Sequence, residues 1–127
     1  MLHPHLSAIF RKSIALPTSS GYTFFTIADI LYLKADNKTA IAVVKEVLGK
    51  EGDAVKSYSV FRTLKELETA LRDCGFLRIR RDILVNTMNI TSFSKDSSLV
   101  LSTGEILHPS RERIKSVEVY LKRFFIL

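Results

Sequence analysis

Short apolar segments separated by turn signals run along nearly the whole chain, and they constrain its fold more than any other feature. "SIALP" and "YTFFTI" flank "TSSG", and "DILYLKA" and "TAIAVVKEVL" flank "DNK". Ser, Asn, Asp and Gly at such places supply local hydrogen bonds and tolerate positive φ, so each pair reads as two strands around a turn. "GKEGD" marks an exposed turn before "AVKSYSVF". Further on, "ILVN", "ITSFSK", "LVLST" and "EILHP" return to the same pattern, with "DSS" and "TG" as turns.

Two stretches change period. In "TLKELETALRDCG", Leu64, Leu67 and Leu71 recur at three and four, Thr63 and Glu66 make a capping box, and Gly75 is a stop, which predicts a helix. From Ser110 onward Ile114, Val117 and Leu121 share one face while Arg111, Arg113, Lys115, Lys122 and Arg123 lie elsewhere. That predicts a second amphipathic helix with Ser110 as its cap. No internal repeat, low-complexity tract or linker is visible. The chain reads as one mainly β domain over residues 12–127 with two short helices, after a loose lead at 1–11.

Composition narrows the function. A single core in a chain of 127 residues buries about two thirds of the surface of its unfolded form, so no metal or disulfide is needed. The 19 Lys and Arg outnumber 13 Asp and Glu, and the resulting charge of +6 favours polyanions such as nucleic acid. Cys74 is the lone cysteine and no Cys/His spacing suits zinc, which fits a reducing cytosol and no cofactor. The N-terminal stretch lacks the order of a secretory signal, and no apolar run approaches the roughly 18 residues of a membrane span. A cytoplasmic protein is expected.

"FLRIRRDILVN", residues 76–86, is the anomalous segment. Strict alternation would put Arg81 on the same face as Leu77, Ile79, Ile83 and Val85, where an unpaired guanidinium would cost several kcal/mol. The backbone is therefore expected to leave the ladder, or bulge, near residues 80–82 and turn Arg80 and Arg81 outward. Two readings stand side by side. The flat fork of an exposed arginine can grip a phosphate or the O6 and N7 edge of guanine, whereas Asp82 can neutralise one of the pair in a salt bridge. Arg78, on the even face beside Arg80, is a secondary candidate.

Other features are weaker. Ser110 followed by Arg111 and Arg113 at a helix start suits a phosphate, but by sequence alone it reads more readily as a capped surface helix. "DNK" is a common turn, and Asn86 is read as a strand-end residue bonded to backbone. Phe24, Phe25, Phe61, Phe93, Phe124 and Phe125 lie in apolar patterns and are read mostly as core. No phosphate-binding glycine loop, H-E-x-x-H, paired cysteines or G-x-S-x-G is present, and His108 near Ser110 lacks an orienting third group, so the chain is not read as an enzyme.

"FLRIRRDILVN" resembles the F-x-R-x-H-R-S-x-(I/L)-V-N signature of LytTR-type DNA-binding domains. "GEILHPSRERI" is similar to their closing G-x-x-(I/L)-x-x-S-R, "ADILYLKADNKTAIAV" to their D-I-x-Y-(I/L)-x-A opening, and "LKELETAL" to their L-K-E-L-E-x-x-L helix. The four segments keep the family order between residues 28 and 114, and the resemblance extends over about residues 12–122. The resemblance implies elongated antiparallel β-sheets that enter successive grooves of duplex DNA with loops, as a transcription regulator of bacterial two-component systems. It places the contacts at Asn37, Lys38 and Thr39, at Arg80 and Arg81, and at Arg111; Arg78 and Arg113 are secondary candidates by their positions alone. Two positions depart from the family pattern: Arg80 stands for its usual histidine and Asp82 for its usual serine, so base preference does not carry over. Paired DNA repeats, a dimer assembled on DNA and an upstream receiver or sensor are the implied partners. No receiver precedes residue 12, so the chain either acts alone or is one domain of a response regulator. The rival readings are a single-stranded RNA binder, which calls for aromatics alternating with basic residues on an exposed sheet face, and a protein-interaction module.

Overall fold

Each turn signal separates two antiparallel strands in the computed structural model, which describes residues 13–125 apart from 48, 49 and 51. The lead expected at 1–11 lies outside the described residues. In chain order the elements are β1 (Ser13–Thr18), β2 (Gly21–Thr26), β3 (Ile30–Asp36), β4 (Thr39–Val47), β5 (Asp53–Val60), α1 (Leu64–Ala70), β6 (Phe76–Arg80), β7 (Ile83–Asn86), β8 (Ile90–Phe93), β9 (Leu99–Leu101), β10 (Ile106–Leu107) and α2 (Ile114–Phe124). They form a β1-β2 hairpin, a five-stranded sheet in the order β5-β4-β3-β7-β6, and a three-stranded sheet in the order β10-β9-β8.

The five-stranded sheet is the middle layer because it is covered on both faces. On one, Leu33, Ala42 and Leu84 meet Leu16 and Phe25 of the hairpin, Leu64 and Leu67 of α1, and Leu71 just after its last turn. On the other, Tyr32, Val43, Ile79, Ile83 and Val85 meet Leu99, Leu101 and Leu107 of the small sheet and Val117 and Leu121 of α2. Burying each of these leucines contributes about 2 kcal/mol. Double coverage also explains why β7 shows no polar alternation: all four of its residues are buried. The phenol of Tyr32 donates to Glu105 Oε2 at 2.7 Å, tying the middle sheet to the β9–β10 turn, and burial together with that carboxylate raises its pKa.

Asn86 is fully buried and donates from Nδ2 to the carbonyls of Ile27 and Ile30, both at 2.9 Å. Asn89 does the same to Ala28 at 2.9 Å and Ile30 at 3.0 Å. These asparagines hold the 3-10 turn Ile27–Asp29 that leads into β3. A matching turn, Thr87–Asn89, leads into β8, and both following strands carry a register shift after their first residue. The "VN" ending of β7 is thus a structural clasp on backbone, as read from the sequence.

α1 has the expected capping box at Thr63 and Glu66, but it relaxes into a 3-10 turn at Arg72–Cys74 before Gly75 stops it at φ 82°. Three expectations need correction. Ser110 does not cap α2: a 3-10 turn, Arg111–Arg113, intervenes, and no side chain caps Ile114–Phe124. Phe24, Phe61, Phe124 and Phe125 are exposed, because β2 shows one face to solvent, Phe124 is in the last turn of α2, and Phe61 and Phe125 lie just past a strand and a helix end. Phe25 is in the core as expected. Arg78 does not share a face with Arg80, for the reason given next.

Candidate nucleic-acid interface

The ladder between β6 and β7 pairs Arg78 with Leu84 and then Arg80 with Ile83, so the register slips by one at Ile79. Leu84 belongs to the core under α1 and Ile83 to the core under α2. Directly paired residues share a face, so the slip sends Arg78 to one side of the sheet and Arg80 to the other. The bulge lies just before the expected 80–82 position. Ile79 stays fully buried, Arg81 and Asp82 become the turn, and no guanidinium is forced into the core.

Arg78 is used within the fold. Its side chain is only 15% exposed; Nη1 meets Glu68 Oε1 of α1 at 2.9 Å, Nε donates to the Arg80 carbonyl at 3.0 Å, and Nη2 donates to the Arg81 carbonyl. The arginine therefore clamps the turn from beneath. Arg80 is differently placed: Nε contacts Asp82 Oδ1 at 3.0 Å, with side chains 43% and 39% exposed. An ion pair this open is worth about 0–1 kcal/mol, too little to lock either group away. The side chain of Arg81 is exposed and has no hydrogen bond or ion pair among the described residues.

Backbone hydrogen bonds bring the other candidate segments to the same place. Ala35 N donates to the Asp82 carbonyl at 2.9 Å, which sets the β3–β4 turn beside the β6–β7 turn. Asn37 heads that turn at φ 57°, a left-handed conformation that asparagine adopts more readily than most residues, and both Asn37 and Lys38 are exposed. On the opposite flank Ser110 N donates to the Ile79 carbonyl at 3.0 Å, so Arg111 is anchored against the bulge that precedes Arg80. Arg111 is exposed and Arg113 half-buried, and neither has a side-chain partner among the described residues.

The structure thus gathers Asn37, Lys38, Arg80, Arg81 and Arg111 at one end of the middle sheet and turns Arg78 inward. It also adds a cation that the sequence pattern does not single out. Lys34 pairs with Ile83, which pairs with Arg80, so Lys34 and Arg80 project from one face two strands apart, about 10 Å. Lys34 is exposed at the end of "ILYLK", and only the strand register reveals its neighbour. Arg62, exposed just beyond β5, bonds to the Phe61 carbonyl at 2.8 Å.

The molecule is a three-layer β domain whose basic turns gather at one rim. The chain belongs to the LytTR family, whose model, described as the LytTr DNA-binding domain, matches residues 20–122. Its fold is similar to that of the LytTr DNA-binding domain of a methyl-accepting/DNA response regulator from Bacillus cereus. The two share 21% identity over 89% of this chain and 95% of that one, with a TM-score of 0.64. No curated protein sequence matches the chain. Among the described residues no helix is long and apolar enough to cross a membrane, and no cluster of three metal-ligating side chains occurs.

Proposed function

We propose that this LytTR domain binds duplex DNA sequence-specifically and regulates transcription in the cytoplasm, by setting its basic turns into successive grooves. One observation carries the reading: three separate basic segments are hydrogen-bonded to one another at one rim, through Ala35 to Asp82 and Ser110 to Ile79. Arg81 and Arg111 are the principal donors, because their guanidinium groups are exposed and uncommitted among the described residues. Lys38 and Lys34 are phosphate contacts, with Arg113 secondary, and Asn37 and Arg80 read base edges. Arg78 serves as a support for the turn. Paired repeats with a dimer assembled on DNA, and an upstream receiver, belong to the same reading, as does the absence of catalysis.

The single-strand alternative needs aromatics interleaved with cations on an exposed sheet. Tyr22 and Phe24 are exposed on β2, yet residues 13–26 carry no Lys or Arg at all. Selection of bound duplexes from a random pool at two salt concentrations tests the proposal, with single strands as competitors. Enrichment of one motif is expected, and its affinity falls in Arg81→Ala by about 1 to 3 kcal/mol at one base position. Equal capture of single strands, or no enriched motif at either salt, would refute it.

A further inference from the structure

The two positions that depart from the LytTR pattern, Arg80 and Asp82, are each other's partner in this structure, joined through Nε and Oδ1 at 3.0 Å. We propose that they act as one guanine-reading unit: Asp82 fixes Arg80 through Nε, and the two Nη groups of Arg80 meet O6 and N7 of a guanine in the major groove. This rests on the duplex-DNA reading above.

The chemistry of the fork supports it. A guanidinium has five N–H donors, and the bond to Asp82 uses the one on Nε, leaving the end-on pair of Nη groups without a partner among the described residues. Both ends of the side chain are held. Its backbone is paired with Ile83, and its carbonyl accepts from Arg78 Nε at 3.0 Å. Its head is held by a carboxylate two residues away in the same turn. Part of the rotamer freedom that a lone arginine would lose on binding is thus given up already in the free protein.

The carboxylate also selects the target. Asp82 beside the fork repels a phosphate approaching the same spot but does not repel an uncharged base edge. Among major-groove edges, that of guanine presents two adjacent acceptors, whereas adenine offers an acceptor beside a donor. The paired departures therefore make chemical sense together. Arginine alone would be a mobile cation equally suited to phosphate, and aspartate alone would place an unpaired negative charge at the DNA face. As a positioning residue, Asp82 acts on base preference through Arg80.

The test uses the full chain and its Asp82→Ala, Asp82→Asn, Arg80→Lys and Asp82→Ala/Arg80→Lys variants in duplex selection at one salt concentration. Thermal melts confirm that all are folded. Wild type is expected to enrich guanine at a fixed position, and Asp82→Ala to lower that preference by up to about fivefold while leaving total affinity equal or higher. Arg80→Lys, which has no fork, should abolish the preference, and the double variant should be no worse than Arg80→Lys. Asp82→Asn, which keeps shape but not charge, should fall between wild type and alanine. Replacing the preferred guanine by 7-deazaguanine, which lacks the N7 acceptor, should weaken wild type and leave Arg80→Lys unchanged. A uniform change in affinity with an unaltered guanine preference in Asp82→Ala would overturn the inference while leaving the DNA-binding reading intact. No retention of any duplex by wild type would overturn both.

Discussion

Replacing Arg78 by methionine should separate the stability of the domain from the order of the β6–β7 turn. The substitution removes two charged-donor bonds, to the carbonyls of Arg80 and Arg81, and the contact with Glu68. Bonds to charged groups contribute about 1.5 to 3 kcal/mol each, and the lower figure applies to turn carbonyls near solvent, giving about 3 kcal/mol for the two. Glu68 is 42% exposed, so its pair adds no more than about 1 kcal/mol. Methionine keeps much of the apolar stem. The expected loss is therefore about 3 kcal/mol, a fall in Tm of about 12 °C for a domain of this size. Below that temperature the protein stays folded, but Arg80 and Arg81 lose their support. Re-ordering two backbone residues on binding costs about 2 kcal/mol, which is about a 30-fold weaker Kd. Glu68→Gln removes only the ion pair and should change Kd less than about threefold. Thermal denaturation and fluorescence anisotropy on a selected duplex measure both quantities. An Arg78→Met variant that melts with wild type and binds within about twofold of it would refute the view that Arg78 holds the turn.

Asn86→Ala should cost about 3 kcal/mol in chemical denaturation, because it strips the bonds to Ile27 and Ile30 and the acceptor of Met88 N from a fully buried site; a loss under about 1 kcal/mol would contradict the clasp. Asn37→Gly keeps the φ of 57° at no steric cost and should leave stability within about 0.5 kcal/mol, whereas Asn37→Val should lose about 1 to 2 kcal/mol. Any drop in DNA affinity of the glycine variant then reports the amide itself. The pKa of Tyr32 is raised in the folded protein by burial and by Glu105. Its contribution is therefore complete below the ordinary tyrosine pKa of about 10 and is lost as pH rises beyond it. Tyr32→Phe should show a shallower alkaline loss of stability than wild type in denaturation between pH 9 and 11. Lys38→Ala should lower the slope of log affinity against log salt by about 0.9 if Lys38 meets a phosphate, and an unchanged slope would remove it from the interface.

Local physical chemistry makes much of this protein legible in its sequence. Turn residues place the hairpins, the Thr63 and Glu66 capping box places α1, and Leu64, Leu67 and Leu71 announce the face it buries. The cost of burying a guanidinium is enough by itself to require a break in "FLRIRRDILVN". Motif order carries the family. Tertiary structure decided what depends on register and on neighbours distant in sequence. Alternation alone places Arg78 beside Arg80, but one residue of slip at Ile79 separates them, because a strand period of two turns any one-residue shift into a change of face. The same shift gives Arg78 to Glu68 and the turn carbonyls. Ser110 bonds to Ile79 instead of capping α2, and Lys34 stands across from Arg80, because strands far apart in the chain lie side by side in the sheet. Which groups had to reach solvent is readable from the residues alone, since desolvation energies are properties of the residue. Which of them share a rim was settled only by pairing between strands, since a hydrogen-bonded ladder sets distances that no local spacing encodes.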